Sequence, residues 1–376
     1  MNRLTITALL GTLLLSACAT APVPHDAPIS GLRLIGEQRI ALKQEFQGTS
    51  VGGLSGIDYD TASGTWVLES DDRSEINPAR FYRARLSYDA DQFSSVKLES
   101  VHFFTQANGQ PYPNLAHARL ERGDQVPDIE TIRVDPRDGS LWYGSEGNRK
   151  VGLDAFVAHA GRDGTYLATL PTPAMFRVSK EERGSRNNMS FEGLSFAPDG
   201  NSLWLGMEAA LYQDGPLATP EHGSTVRITR LSREGRVLAQ YAYPIEPIAS
   251  KPAPGRNADN GVSEILAVDA HRLLIVERAG VENAEGVYAN HVRIFEMDTT
   301  GATDIAALPA LAGAAYVPAR KRLLLDLEKI GLPQVDNLEG ISWGPRLPNG
   351  RRSLVMVSDD NFNAQQVTQI LAFEVL

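Results

Sequence analysis

The sequence predicts an all-β fold of the β-propeller type. Three observations carry this: a strand–turn–strand phrase that recurs, further period-2 runs between its copies, and little trace of long amphipathic helices. The phrase occurs as LSGIDYDTASGTWVLESDDR from Leu54, IETIRVDPRDGSLWYGSEGN from Ile129, FEGLSFAPDGNSLWLGMEA from Phe191, SEILAVDAHRLLIVERAG from Ser263 and LEGISWGPRLPNGRRSLVMVSDDN from Leu338. Its equivalent first positions read as Ser55, Glu130, Glu192, Glu264 and Glu339, separated by 75, 62, 72 and 75 residues.

Each copy joins an alternating strand to a second strand rich in Leu, Trp and Val through a Gly/Asp/Asn turn. Between the copies, RFYRARLSYD, VKLESVHFF, TVRITRLSREGRVLAQYAYP, NHVRIFEMD and RLLLDLEKI read as the further strands that make four-stranded blades. Five blades are visible, and the interval 280–335 leaves room for a sixth, degenerate one. LRLIGEQRIAL near the start and QILAFEVL at the end are expected to pair in one blade and close the ring. Trp66, Trp142, Trp204 and Trp343 recur at strand positions, where packing between blades explains them.

The first residues, MNRLTITALLGTLLLSAC, read as an export signal: Arg3 supplies the charge, Ala8 to Leu15 a short apolar core, and Ala17 the small residue before a cut. The apolar run is too short to span a bilayer comfortably. Cys18, the only cysteine, follows Leu15-Ser16-Ala17 in the manner of a bacterial lipoprotein signal. The expected organisation is therefore a signal over 1–17, a lipidated tether over 18–29, and one propeller domain over 30–376. The chain is then exported and membrane-anchored through Cys18 on the periplasmic side of the cell envelope. Using Cys18 as anchor leaves no thiol for a disulfide, a zinc–thiolate site or a nucleophile. Losing Arg3 takes the formal charge from −10 to −11, and an acidic chain without a basic cluster is a poor nucleic-acid binder. A monomer with a small-molecule substrate is expected.

Strand periodicity puts Glu130, Ile132 and Val134 on one side of their strand. Hairpin symmetry then sets Glu130 opposite Glu146, Glu192 opposite Glu208, Ser55 opposite Asp71, Glu339 opposite Asp359 and Glu264 opposite Glu277. In a propeller those open hairpin ends converge on one mouth of the central channel. Like charges facing each other on paired strands repel. A ring of them must be protonated, paired with arginine or bridged by a cation. Hard oxygen ligands without cysteine or a His-rich spacing favour Ca²⁺, or Mg²⁺, over zinc or copper. The candidate metal ligands are Asp71, Glu130, Glu146, Glu192, Glu208, Glu264, Glu339 and Asp359, with Glu130, Glu192, Glu264 and Glu339 as the catalytic acids. The competing reading makes these acids clamps that lock blades together, helped by the neighbouring Arg73, Arg149, Lys150 and Arg278.

The phrases GLSGIDYD, DIETIRVDP, SFEGLSFAPDG, GVSEILAVD and NLEGISWGP, with SDDNF near the end, resemble the bacterial phytase-like family, also described as having esterase-like activity of phytase. The resemblance runs from about Gly53 to the last strand. It implies an exported β-propeller that hydrolyses phosphoric or other esters. GISWG at Gly340–Gly344 has the G-x-S-x-G spacing of serine esterases, but that motif needs a sharp strand-to-helix elbow, and Ser342 lies within an alternating strand. The leading expectation is a phosphoric-ester hydrolase in which Ca²⁺ at the channel mouth neutralises a phosphate and activates water, while Arg73, Lys150 and Arg278 hold peripheral oxygens. The alternatives are a non-catalytic ligand- or protein-binding propeller, and carboxylester or lactone hydrolysis at the same site.

Overall fold

The computed structural model describes residues 28–376. Residues 1–17, Cys18 and most of the tether therefore lie outside the described residues. Strand β1 (Leu32–Ile40) is followed by a small hairpin of β2 (Gln44–Phe46) and β3 (Thr49–Val51). The first full blade holds β4 (Gly56–Asp60), β5 (Thr65–Ser70), β6 (Arg80–Tyr88) and β7 (Phe93–Phe103), the second β8 (Ile129–Val134), β9 (Leu141–Ser145), β10 (Phe156–Ala160) and β11 (Tyr166–Thr169). The third is built of β12 (Phe191–Phe196), β13 (Ser202–Met207), β14 (Ser224–Ser232) and β15 (Val237–Ile245). The fourth follows with β16 (Ala258–Ala267), β17 (Arg272–Glu282), β18 (Tyr288–Asp298) and β19 (Arg320–Asp326). In the fifth, β20 (Asn337–Trp343), β21 (Ser353–Asp359) and β22 (Thr368–Val375) take β1 as their outer strand, with Leu32 opposite Val375 and Ile40 opposite Thr368.

The molecule is thus a five-bladed β-propeller closed by its N- and C-terminal strands. The interval 280–335 holds no sixth blade: it contains the end of β17 and all of β18 and β19. Helical structure among the described residues is confined to four single 3-10 turns. Two outer strands of the second blade, FVAHA and YLAT, escape the sequence reading because they are short and carry no clear alternation.

The core is a ring of apolar layers between blades. Trp66, Leu68 and Tyr82 of the first blade meet Val355, Val357 and Ile370 of the fifth, and Val67 and Phe81 meet Ile132 and Tyr143 on the other side. Trp142 and Trp204 lie in the layer that joins the second, third and fourth blades. Close approach at the centre explains the small residues there. A Cβ on Gly193 would sit 2.9 Å from Ile265, and one on Gly340 would sit 2.8 Å from the Ser55 carbonyl.

Arg133 of β8 spans this centre. Its Nε donates to the Leu194 carbonyl at 2.5 Å, Nη1 to the Ile57 and Ile132 carbonyls at 2.9 Å each, and Nη2 to the Ile265 carbonyl at 3.1 Å. Nη2 also meets Glu264 at 2.7 Å. Four inner strands are held by one side chain. Glu264 in turn accepts from the Thr131 hydroxyl at 2.7 Å and from the Leu194 and Ile265 amides at 2.9 Å. Asp58 completes the circle, taking the Ser342 hydroxyl of the fifth blade at 2.6 Å and the Val134 amide of the second at 2.8 Å. Ser342 is buried in β20 and structural, consistent with the missing elbow.

Because Arg133 and Glu264 are both buried, Arg133→Leu should destabilise the fold by about 3–5 kcal/mol in urea unfolding, since it strands a buried carboxylate. Arg133→Leu with Glu264→Leu should recover part of that loss. A single variant as stable as the parent would contradict the role given to Arg133.

Candidate functional site

The acids of the mouth are aimed by β-bulges. In β8, β12 and β20 the register against the second strand slips at one residue, and that residue is Glu130, Glu192 and Glu339 respectively. A bulge leaves one residue unpaired and redirects its side chain. In β16 the slip falls on Ser263. Aligning the repeats on the buried aliphatic that follows, Ile57, Ile132, Leu194, Ile265 and Ile341, shows why: Ser263, not Glu264, is the equivalent of Glu130. The inferred equivalence of Glu264 is therefore corrected by one position. Glu264 pairs with Val276 and points into the Arg133 centre, outside the mouth cavity.

The bulges also correct the inferred pairings. Each second-strand acid meets the residue two before the expected one: Glu146 donates its amide to Asp128, Glu208 to Ser190, Asp71 to Gly53, and Asp359 pairs with Asn337. In the fourth blade Glu277 faces Val262 and turns away from the channel, where it accepts from the Tyr243 hydroxyl at 2.7 Å and Lys321 at 2.8 Å. The next residue, Arg278, occupies the place held by an acid in the other four blades.

These side chains meet in a cavity of about 470 Å³ lined by Asp71, Glu130, Glu192, Glu208, Asp259, Glu339 and Asp359, with Arg73 and Arg278 as the cations of the wall. Asp128 and Glu146 complete the cluster. Oxygens of Asp128, Glu130 and Glu146 lie within 4.8 Å of one another, as do those of Glu146, Glu192 and Glu208. Glu146 is common to both groups. One of its oxygens, Oε2, is buried without a hydrogen-bond partner among the described residues, and so are both oxygens of Glu69. An all-carboxylate donor set with orphaned oxygens fits a hard divalent cation. The residues present could hold one or two.

Nine carboxyls against two arginines set the electrostatics. Arg73 donates to Asp128 at 2.5 Å and to Asn188 at 2.6 Å. Arg278 lies 3.3 Å from Asp259 and 3.7 Å from both Glu208 and Glu339, so two of its three contacts exceed hydrogen-bond length. Burial, reinforced by neighbouring carboxylates, pushes Asp71, Glu130, Glu192, Glu208 and Asp359 well above the ordinary carboxyl range. Burial likewise lifts Glu146 to about 8 and Asp128 to about 6, the latter against the pull of Arg73.

Of the residues inferred from sequence, Asp71, Glu130, Glu146, Glu192, Glu208, Glu339, Asp359, Arg73 and Arg278 come together. Lys150 does not: it lies in the 3-10 turn Arg149–Val151, outside the cavity wall. Its neighbour Arg149 is structural, donating to the Ser185 carbonyl at 2.8 Å and stacking 4.7 Å from the Tyr212 ring. Sequence reasoning passed over Asp128, Asp259 and Glu69 as site residues. Two of them were within reach, since Asp128 and Glu69 stand two residues before Glu130 and Asp71 in the period-2 pattern.

Fold and site together define a five-bladed propeller with a carboxylate-lined channel mouth. The family model Phytase-like, described as esterase-like activity of phytase, matches residues 49–362. The chain belongs to that family. A comparison with curated proteins returned no match. Among solved structures, a thermostable family-43 glycoside hydrolase is 10% identical with a TM-score of 0.44, over 85% of this chain and 89% of its own. A GH43 β-1,3-galactosidase is 10% identical at 0.46, over 91% and 60%. The periplasmic gluconolactonase of Pseudomonas aeruginosa is 12% identical at 0.37, over 92% and 95%. Activity does not follow from likenesses at this level.

The raised carboxyls give the metal-free protein a pH signature. A group whose folded pKa exceeds its unfolded value contributes stability below the unfolded value and loses it as pH rises through the folded one. For Glu146 that window runs from 4.5 to about 8, and for Asp128 from 3.8 to about 6. In chelator, the melting temperature should fall steadily between those limits. Saturating Ca²⁺ should raise it most at the alkaline end and flatten the slope. A melting curve indifferent to both pH and Ca²⁺ would mean that the cluster is neither strained nor a cation site.

Proposed function

We propose that the protein is a metal-assisted phosphoric-ester hydrolase acting at the carboxylate-lined mouth. The observation that carries this reading is the pair of carboxylate triads that share Glu146, set in a polar cavity beside Arg73 and Arg278. Membership of a family described by esterase-like activity supports ester hydrolysis, and the donor set supports Ca²⁺ or Mg²⁺. A bound cation of this kind would supply Lewis acidity toward a phosphoryl oxygen. Asp128, Glu130, Glu146, Glu192 and Glu208 would hold it. Arg278, held by Asp259 at 3.3 Å and only loosely by Glu208 and Glu339, would offer an N–H to an ester oxygen. Asp71, on the first blade, lines the same cavity with its carboxyl pKa raised by burial, and would return a proton to a departing alcohol.

Chelation should abolish hydrolysis of p-nitrophenyl phosphate, and Ca²⁺ or Mg²⁺ should restore it. Glu146→Gln keeps the shape of the shared ligand but removes its charge. It should cut kcat on the order of 100-fold, while above pH 8, where Glu146 is charged, the metal-free variant melts no lower than the parent because one repulsive charge is gone. Cleavage of carboxylesters or lactones with no turnover of any phosphate ester would overturn the assignment, as would activity that survives thorough metal removal.

From the signal-like first residues we also propose that the protein lies on the periplasmic side of the cell envelope, tethered through Cys18. No described helix is long and apolar enough to cross a membrane. Cys18→Ala should move the protein out of the membrane fraction or block its processing. Membrane association and palmitate labelling that persist in the variant would refute the anchor.

A further inference from the structure

The mouth cavity does not end at the acids. It runs into a second cavity of about 430 Å³, and the two share Tyr288, Asn290, Asn363 and Gln366 in their walls. Each is within the size range of small-molecule sites, about 300–1,000 Å³. The chemistry of this annex differs from that of the mouth. Its lining residues include no lysine or arginine, and its charged members, Glu328 and Asp336, are both acids. Arg256, beyond Gly286, is held by Glu282 at 3.0 Å and by the Ala284 carbonyl.

Asp336 organises the wall. It is buried, and its carboxylate takes the side-chain amides of Gln334 at 2.9 Å and Gln366 at 3.2 Å, with the Val367 amide at 2.9 Å. Facing a carboxylate, each glutamine must present its NH₂ end, so the two carbonyl ends are left as acceptors. Glu328, half exposed, has one oxygen 2.8 Å from His291 Nδ1 and offers the other as a further acceptor. Beside them the Tyr288 ring is 44% exposed at the junction of the two cavities. A wall rich in acceptors, with two acids and neither lysine nor arginine, takes hydroxyl donors and repels phosphate. An exposed aromatic face packs against the C–H face of a saturated ring.

We propose that this annex is the leaving-group subsite, and that it takes a neutral, polyhydroxylated ring, a glycosyl or cyclitol group. The preferred substrates are then esters with phosphate at one position, at the mouth, and free hydroxyls elsewhere. A ring phosphorylated all round would force anions against Glu328 and Asp336. The inference rests on the phosphoric-ester reading for the chemistry at the mouth, but the annex can be probed without it.

The test compares glucose 6-phosphate, inositol hexakisphosphate and p-nitrophenyl phosphate on the metal-loaded protein. The monophosphate should be turned over in preference to the hexakisphosphate. Tyr288→Ala should lower the ratio of kcat/KM for glucose 6-phosphate over p-nitrophenyl phosphate by about tenfold, mainly through KM, and Tyr288→Phe should restore it. Equal losses on both esters, or preference for the hexakisphosphate, overturns the proposal. Independently, saturation-transfer NMR with methyl glucoside and with unphosphorylated inositol should show binding that Tyr288→Ala removes. If those ligands bind in this way while no phosphate ester is cleaved, the subsite stands and the phosphoric-ester reading falls. If neither ligand shows transfer, the subsite falls whatever the enzyme hydrolyses.

Discussion

The architecture depends on the guanidinium of Arg133. An arginine carries five N–H donors in a planar fork, and here all five are engaged: four carbonyls from four different inner strands and one oxygen of Glu264. Burying such a charge is costly unless its geometry is fully satisfied. Only an arrangement in which the inner strands converge around one point offers that many acceptors. The buried charge therefore selects against packings in which a blade is displaced or missing. It fixes where the inner strands stand, and hence where their bulged residues are aimed.

That fixity matters because the layer above is under electrostatic load. Nine carboxyls share the mouth with two arginines, and close packing between blades, with Gly193 and Gly340 pressed against their neighbours, leaves them little room to move apart. Relief must come from protons or cations. The fourth blade relieves part of the crowding by itself, with Ser263 and Arg278 where the second, third and fifth blades carry acids. The five-fold repeat is thus broken in charge but not in backbone. The broken position lies next to the annex, so the cavity has a carboxylate-crowded side that carries two arginines and a second side with neither lysine nor arginine in its wall.

Much of this was legible in the sequence. Glycine- and acid-marked turns between alternating strands gave the blades, and the pairing of LRLIGEQRIAL with QILAFEVL followed from a ring that needs closing. The convergence of Glu130, Glu192, Glu339, Asp71 and Asp359 followed from their places at hairpin ends. The misplacement of Glu264 has a specific cause. Two adjacent positions, Ser263 and Glu264, compete for one alignment, and residue identity is a poorer guide there than the buried aliphatic at Ile265. Symmetry within a hairpin also cannot reveal a bulge, which shifts the partner by one; the other residue of the miss comes from the hairpin centre, since Thr131 pairs with Gly144. Lys150 failed for a different reason: Asn148 and Gly152 wrap it into a local turn that carries it off the strand direction. The annex was not foreseeable, since its wall joins residues near 288, 334 and 366 that no periodicity connects.

The closing blade sets the order in which the chain can mature. Because Leu32 is opposite Val375, the first described strand to emerge during synthesis is among the last to find its partner. Until β22 arrives, β1 presents an open edge, and open edges invite pairing with other chains. Closing a loop of that length is entropically slow rather than prohibitive. The intermediate most exposed to misassembly is accordingly a four-bladed arc with an unsatisfied strand at its head. Any factor that shields β1 during that interval would act on yield without touching the finished protein.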